Sequence, residues 1–302
     1  MLKVAVIGLG WWGRIIVDVL ANNPKLQVVR VVDIGAAGQA FAQERSLPFS
    51  PRFEDALLDP QVQGVVLCTP HTLHTDQIVA AAQAGKHVFC EKPLSMTRAD
   101  VLRACAAVDR AGVALAVGHE KRFEPPILEL MQLLKSGADA PNQAPLRGRI
   151  HLLDLSIGVF GEAQSVFTSV KQLGSPLTNG DTLAALVTFK RGGHALISAI
   201  LATPFAGRFA VYGSQGWAEV RDKTHPEAPE GWTFTTCLRG QPIQVKDIPP
   251  APAVLHNLEA FADAALGRAP YPVPREQMIA NVSALEAVIR SAKSGQVEPV
   301  QG

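Results

Sequence analysis

The chain has 302 residues, 28 Lys and Arg against 27 Asp and Glu, a formal net charge of +1, and 47% hydrophobic residues. This length exceeds what one ordinary core organises, so we expect two domains. The hydrophobic fraction is too high for an intrinsically disordered chain. The balanced charge argues against a general nucleic-acid or membrane-surface binder, because such proteins carry a surplus of basic residues.

The cysteines and the N-terminal segment indicate a reduced compartment. The four cysteines form no C-x-x-C pair, and four in 302 residues is far below the density of a disulfide-stabilised fold. The short apolar run after Met1 is followed by no small-residue cleavage site. No apolar stretch reaches the roughly 18 residues that span a bilayer. The sequence therefore predicts a cytoplasmic protein with no membrane or nucleic-acid partner.

The first 120 residues alternate short apolar runs with stretches of helical periodicity. Strands are predicted at residues 4–7, 28–32, 64–68, 87–90 and 114–117. Helices are predicted between them, at residues 15–20, 75–84 and 99–111. Uninterrupted apolar strands between helices are typical of a parallel sheet that is covered on both faces. We therefore predict an α/β fold that begins with a doubly wound, Rossmann-type domain over residues 1–120.

The pattern changes after about residue 123. Helices are predicted at residues 125–136, 151–160, 253–266 and 275–294. Strands are predicted at residues 165–173, 182–190, 195–203, 208–212, 217–220 and 232–238. Residues 138–148 are polar, contain proline and predict a loop, and Arg191-Gly192-Gly193 predicts a hairpin turn. Consecutive strands favour a largely antiparallel open sheet, which we place in an α+β domain over residues 121–302.

A glycine loop, Gly8-x-Gly10-x-x-Gly13, follows the first strand and opens the first helix. The first glycine allows a tight turn, the second a close approach to a pyrophosphate, and the third close packing of helix on strand. The phosphates would sit at the positive end of the helix. Asp33 ends the second strand twenty residues after Gly13, where an acid can bind ribose hydroxyls. This context favours a dinucleotide site over a purely structural turn.

The residues around this loop bear on the identity of the cofactor. A carboxylate at Asp33 repels a 2′-phosphate, and the next residue is Ile34 rather than Arg, so we predict NAD in preference to NADP. Trp11 and Trp12, inside the loop, can cover the pyrophosphate and nicotinamide, or one of them can pack against the second domain. We include both in the predicted cofactor-binding set.

Polar residues also follow three other predicted strands of the first domain. Ligands gather at the carboxyl ends of strands in doubly wound sheets. We therefore add these residues to the predicted cofactor-binding set, which now includes Thr69, Pro70, His71, His74, Glu91, Lys92 and Arg122.

Several of these side chains have alternative roles that the sequence leaves open. His71 and His74 are spaced like a metal-binding pair, but no third ligand follows at a suitable spacing, so we predict no metal site. We place His71 near the nicotinamide ribose and His74 at the start of the following helix. Lys92 can be a surface lysine, Arg122 a pocket cation or an interdomain ion pair, and His119 a pocket residue or a strand end.

These motifs, in this order, resemble the glucose–fructose oxidoreductase / inositol dehydrogenase family, written Gfo/Idh/MocA. The resemblance covers nearly the whole chain. It includes the glycine loop, Thr-Pro-x-x-x-His at residues 69–74, Glu-Lys-Pro at 91–93, Arg122-Phe123, His151-x-x-Asp154 followed by Gly161, and the helix from Arg275. It implies a Rossmann domain and a second domain whose exposed sheet face builds homodimers or homotetramers.

The resemblance also implies the catalytic residues. By match, Lys92 reaches the nicotinamide ribose and the substrate hydroxyl, and His151 is the proton acceptor. Chemistry agrees with these residue types, because an imidazole with a pKa of about 6.5 can accept the proton of an alcohol at neutral pH. A neighbouring ammonium stabilises the alkoxide that develops, while the cofactor carries the hydride. His151 can instead cap its helix or lie at the edge of the core.

The sequence departs from the family before His151. The family places a long strand and a substrate loop between the positions of Phe123 and His151, where this chain shows no β-rich run. Many members carry Asp four residues before the histidine, where this chain has Arg147. Three explanations are open: a segment missing from the chain as given, a true deletion, or a subgroup with a shortened substrate wall.

The leading hypothesis is an NAD(P)-dependent oxidoreductase that acts on a secondary alcohol or ketone of a small polyhydroxylated substrate, such as a sugar, a cyclitol or a cyclic dihydrodiol. A second hypothesis retains tightly bound NAD and oxidises a sugar transiently to permit elimination or glycoside cleavage. A third is a non-catalytic NAD-binding regulator, which the short segment before His151 favours.

Overall fold

The computed structural model describes residues 1–135, 141–147, 150–176, 180–225 and 229–301, and it describes side chains outside residues 141–147 and 150. The chain divides into two compact units. The first comprises Met1–Glu120 and Val254–Val282, and the second comprises Lys121–Ala253 and Ser283–Gly302. The functional division at residue 120 stays a prediction. Among the described residues, no helix is long and apolar enough to cross a membrane.

The first unit contains a six-stranded sheet in the order β3-β2-β1-β4-β5-β6, and its five pairings are all parallel. The strands are β1 (Leu2–Ile7), β2 (Leu26–Val32), β3 (Phe49–Ser50), β4 (Gly64–Leu67), β5 (His87–Cys90) and β6 (Leu115–Val117). The helices are α1 (Trp11–Val19), α2 (Ala36–Glu44), α3 (Phe53–Leu58), α4 (His74–Gln83) and α5 (Arg98–Ala111), with 3₁₀ turns at His71–Leu73 and Glu120–Phe123. This confirms the predicted doubly wound sheet.

The alternation of side chains along the strands explains why the sheet is apolar on both faces. In β1, Ala5 and Ile7 belong to one hydrophobic cluster, and Val4 and Val6 belong to the other. Successive residues of a strand point to opposite faces, so a continuous apolar run fills two cores at once. Because of this continuous apolar pattern, the sequence alone predicts a parallel sheet.

A segment that follows most of the second sheet in sequence, Val254–Val282, completes the first unit. Helix α8 (Ala253–Ala265) packs Phe261 edge-on against Phe89 of β5, with ring centroids 5.9 Å apart. Asn257 Nδ2 and the Tyr271 hydroxyl both donate to the carbonyl oxygen of Val117, at 2.9 Å each. The carboxyl end of β6 is therefore held in place by side chains that are remote in sequence.

The second unit contains a nine-stranded sheet in the order β14-β13-β12-β11-β7-β10-β9-β8-β15. Its strands are β7 (Pro141–Arg147), β8 (Ala163–Lys171), β9 (Thr182–Phe189), β10 (His194–Ile200), β11 (Arg208–Gly213), β12 (Gly216–Asp222), β13 (Trp232–Leu238), β14 (Gln244–Ile248) and β15 (Glu298–Pro299). Helices α6 (Pro125–Lys135) and α7 (Ile150–Phe160) precede most of them, and α9 (Arg275–Ser294) runs from the first unit into the second. The β7–β10 pairing is parallel and the other described pairings are antiparallel, which confirms a largely antiparallel sheet.

The loop predicted for residues 138–148 is wrong for most of its length. Residues 138–140 and 148 lie outside the described residues, but residues 141–147 form β7, which pairs with β10 on one side and β11 on the other. Pro141 and Pro145 disfavour a strand locally, and tertiary pairing on both sides overrides that preference. A strand therefore lies between the positions of Phe123 and His151. The apparent lack of a strand there no longer favours a non-catalytic protein.

The two faces of the second sheet differ. Ala185, Val187 and Phe189 of β9 are buried, and Phe189 stacks on Phe160 of α7 at a centroid distance of 4.7 Å. The alternation along β9 therefore turns residues of this parity toward the unit's own core. The exposed apolar side chains of this sheet include Phe167, Leu186 and Leu196, which lie side by side across β8, β9 and β10.

Candidate active site

The glycine loop takes the conformation that its spacing predicts. Gly8 follows β1 with φ of +91°, and a Cβ there would lie 2.8 Å from the carbonyl oxygen of Cys68. A Cβ at Gly13 would overlap the carbonyl oxygen of Gly8, so no larger residue fits where α1 packs on the strand. By contrast, no described atom lies within 4 Å of a Cβ built on Gly10. Gly8 and Gly13 form the turn, and Gly10 leaves open space beside it.

Asp33 is built into the same loop. Its Oδ2 accepts a 2.6 Å hydrogen bond from the backbone N–H of Leu9, and its Oδ1 accepts one of 2.7 Å from Gly35. Each carboxylate oxygen keeps acceptor capacity for a further donor. The next side chain, Ile34, is 96% exposed. Arg30, on β2, pairs with Asp59 at 2.8 Å.

The start of α1 suits an anion. Gly10 is the N-cap, no side chain caps the helix, and residues 11–14 include no acidic side chain. The first N–H groups of a helix lack partners within it and carry partial positive charge. Trp11 is 64% exposed, and its ring lies 5.5 Å from that of Trp12. The open space at Gly10, the uncapped helix and the acceptor at Asp33 together fit a dinucleotide.

Four strands bring their predicted residues to one edge of the sheet. Because β1, β2, β4 and β5 are parallel neighbours, their carboxyl ends share that edge. The edge therefore collects nine of the predicted residues of the first unit, namely Gly8, Gly10, Gly13, Asp33, Thr69, Pro70, His71, Glu91 and Lys92. Two predicted residues, Arg122 and His151, follow residue 120 and belong to the second unit.

His74 is 1% exposed, and both of its ring nitrogens contact main-chain carbonyl groups. Nδ1 lies 2.8 Å from the carbonyl oxygen of Pro93, and Nε2 lies 2.9 Å from that of Thr69. Burial lowers the pKa of the imidazole, and the carbonyl contacts act in the opposite direction. With both nitrogens engaged, this ring has no atom left for a cofactor or a metal. The sequence located His74 correctly at the start of α4, but not this role.

Glu91 places a buried carboxyl group beside Lys92. The side chain is 8% exposed, and a Cβ added at Gly118 would come within 2.5 Å of its Oε2. Burial, and after it the charge of Glu120, raise the pKa of Glu91 to about 7 against the opposing effects of the Trp12 indole and Lys92. The backbone N–H of Lys92 donates to Oε2 at 3.3 Å, and the Lys92 side chain is half-buried. A carboxyl group that changes charge near neutral pH thus lies next to the predicted catalytic lysine.

In the second unit, Arg122 is paired with the helix that carries His151. Its guanidinium donates from Nε to Asp154 Oδ2 at 2.7 Å and from an Nη to Oδ1 at 2.8 Å. His151 is half-buried and precedes Asp154 by one helical turn on α7. Both partners of this ion pair lie within the second unit, so it differs from the interdomain ion pair that the sequence left open for Arg122. Asp154 entered the sequence analysis only as part of a motif.

Comparisons with known proteins match a part of each unit to a known family profile. Residues 2–119 match the profile of the oxidoreductase family with an NAD-binding Rossmann fold, and residues 146–219 match the GFO/IDH/MocA C-terminal domain. The uncharacterized oxidoreductase YrbE of Bacillus subtilis is 28% identical over 78% of this chain and 78% of its own. D-apiose dehydrogenase of Paraburkholderia graminis is 27% identical over 69% of this chain and 62% of its own.

A solved structure shows the same fold over the full length. The aldose–aldose oxidoreductase of Caulobacter crescentus, complexed with glycerol, superposes with a TM-score of 0.85, covers 99% of each chain and is 23% identical. With both family profiles matched in order, the chain belongs to the GFO/IDH/MocA family of NAD-binding oxidoreductases.

Proposed function

We propose that this oxidoreductase transfers a hydride between a nicotinamide cofactor and the secondary alcohol or ketone of a small polyhydroxylated substrate. The observation that carries the proposal is the shared sheet edge, where the glycine loop follows β1, Asp33 follows β2 and Lys92 follows shortly after β5, in the sheet order β2-β1-β4-β5. A dinucleotide on the loop would extend across the ends of these strands. The names of D-apiose dehydrogenase and the aldose–aldose oxidoreductase support a sugar-like substrate.

Lys92 and His151 are the residues that we propose for the proton chemistry. The nicotinamide, when bound, would accept or supply the hydride. The Lys92 ammonium would donate hydrogen bonds to the substrate oxygen and stabilise negative charge there. The His151 imidazole would hold the proton that leaves the hydroxyl group. Both assignments rest on the match to the family's motifs, and the strand-end location of Lys92 supports the first.

For the cofactor we propose NAD in preference to NADP. Both oxygens of Asp33 already accept backbone hydrogen bonds, so this carboxylate is fixed in place and charged where a 2′-phosphate would lie. No cation stands directly after it in the sequence, because the neighbours are Ile34 and Gly35. Titration of the protein with NADH and NADPH would test this, with NADH expected to bind more tightly.

We also propose that a second copy of the chain covers the exposed sheet face of the second unit. Phe167, Leu186 and Leu196 are 41%, 38% and 52% exposed and lie in register across three strands. An apolar row of this kind on an otherwise regular sheet is typical of an interaction surface.

The catalytic proposal is tested with Lys92→Ala. We expect this variant to lose turnover by at least about a hundredfold while it keeps its affinity for NADH. Lys190→Ala, which removes a surface ion pair with Glu162, is the control and should keep full activity. Full activity in Lys92→Ala would contradict the assigned role. NAD already bound to the purified protein, with no net NADH formed, would favour the transient-oxidation hypothesis.

A further inference from the structure

We propose that His74 is a positioning residue: it ties the main chain after Lys92 to the main chain after β4, and so holds two segments of the site at a fixed separation. The link from this clamp to catalysis rests on the role proposed for Lys92. The clamp itself rests on contacts within the first unit alone.

The clamp lies where the sheet stops holding these segments together. The β4–β5 ladder ends at the Leu67–Cys90 pair, and one further hydrogen bond runs from Glu91 N–H to the Leu67 carbonyl at 2.9 Å. Beyond this point His74 supplies two contacts, to Thr69 on one side and Pro93 on the other. The imidazole thus links the two segments beyond the point at which the β4–β5 ladder ends.

Neighbouring residues of α4 strengthen the same connection. The Thr75 hydroxyl lies 2.8 Å from that of Ser95, and both residues are buried. The Thr69 hydroxyl donates to Gln77 Oε1 at 2.5 Å. The first turn of α4 therefore grips the segment after Lys92 at two points and the segment after β4 at two points. His74 is the one residue of this group that contacts both segments.

The chemistry of imidazole allows the two contacts to be separated by mutation. Both partners are carbonyl oxygens, so a ring that donates to both carries a proton on each nitrogen, whereas the amides of Asn and Gln donate from one position each, close to Nδ1 and Nε2 respectively. His74→Asn should keep a donor toward Pro93 and lose the contact to Thr69. His74→Gln should do the reverse, and His74→Leu should lose both.

The experiment is hydrogen exchange of the full chain, followed by mass spectrometry, together with NADH titration. In His74→Leu we expect exchange in residues 69–73 and 91–95 to rise about three- to tenfold, as for loss of a buried hydrogen bond, and NADH to bind several-fold more weakly. His74→Asn should restore protection at 91–95 only, and His74→Gln at 69–73 only.

His87→Gln is the matched control. His87 is half-buried at the opposite end of β5, where its Nδ1 accepts the Ala114 N–H at 3.0 Å. It should leave exchange at both segments and NADH affinity unchanged. Unchanged exchange in His74→Leu, or a uniform rise across the first unit in all three His74 variants, would overturn the clamp. Retained turnover in Lys92→Ala would instead overturn the proposed catalytic role and leave the exchange result intact.

Discussion

Arg122 and Asp154 form a buried ion pair with three hydrogen bonds. Two run to the carboxylate oxygens, and a third runs from an Arg122 Nη to the Asp154 carbonyl oxygen at 2.8 Å. The side chains are 12% and 2% exposed. The third bond engages the main chain of α7 as well as its side chain. The pair is therefore not a loose surface contact. It fixes the helix on which His151 lies.

Loss of the Asp154 charge should destabilise the second unit strongly. In Asp154→Asn the Arg122 guanidinium stays buried without its counter-ion, and removing one partner of a buried pair costs about 3 kcal/mol. Chemical denaturation would measure this free energy of unfolding. Glu162→Gln is the control, because its pair with Lys190 is about half exposed and should contribute less than about 1 kcal/mol. Equal losses in the two variants would contradict the account.

Gly158, in the interior of α7, should not tolerate alanine. An alanine in a helix is ordinarily more stable than glycine by about 1 kcal/mol. Here a Cβ would lie 3.1 Å from Arg122 Nη1 and 3.3 Å from Met131 Cε, and Asp154 holds the guanidinium in place. We therefore expect Gly158→Ala to lower the free energy of unfolding. A stability gain, measured by the same denaturation, would show that the guanidinium is free to move.

Glu91 should make stability fall as the pH rises. Its folded pKa of about 7 lies above the ordinary 4.5, so between these values the folded chain holds a proton that the unfolded chain has lost. Relative to Glu91→Gln, the wild type should lose on the order of 3 kcal/mol from pH 4.5 to pH 7. Glu54→Gln, at an exposed position, should show no such difference. Parallel pH profiles for wild type and Glu91→Gln would refute the assignment.

The sheet-face proposal predicts a change of oligomeric state. A lysine at Leu186 would place a charge at the centre of the row formed with Phe167 and Leu196, and burying it unpaired is unfavourable. Leu186→Lys should therefore give a monomer by light scattering where the wild type gives a dimer or tetramer. Leu58→Lys, at a 79% exposed position in the first unit, is the control. A monomeric wild type would contradict the proposal directly.

The sequence predicted the first sheet, and the edge at which the candidate residues gather, because these depend on local pattern. Apolar runs such as residues 4–7 fill both faces, and Gly8, Gly10 and Gly13 follow such a run directly. It missed α2 and α3. The first has Phe41 as its single large apolar residue, and the second has only six residues. Strand β7 was missed because its prolines signal a loop, and only pairing with β10 and β11 makes it a strand.

The roles of individual side chains were predictable only in part. The spacing of Thr69 and His74 indicated a motif, but the contact of His74 with Pro93 joins residues 19 apart through the fold. Similarly, the need for a glycine at position 158 arises only because Arg122, far away in sequence, packs against it. Contacts of this kind depend on tertiary placement, and no local propensity records them.

Hydride transfer between a nicotinamide cofactor and a polyhydroxylated substrate is the activity that we propose for this protein. The most direct measurement is nicotinamide absorbance after the protein is mixed with NAD⁺ and, in turn, aldoses, cyclitols and cyclic dihydrodiols. We expect at least one substrate to give NADH in excess of the enzyme, and we expect Lys92→Ala to abolish this signal. Tight binding of NADH without turnover of any of these compounds would contradict it.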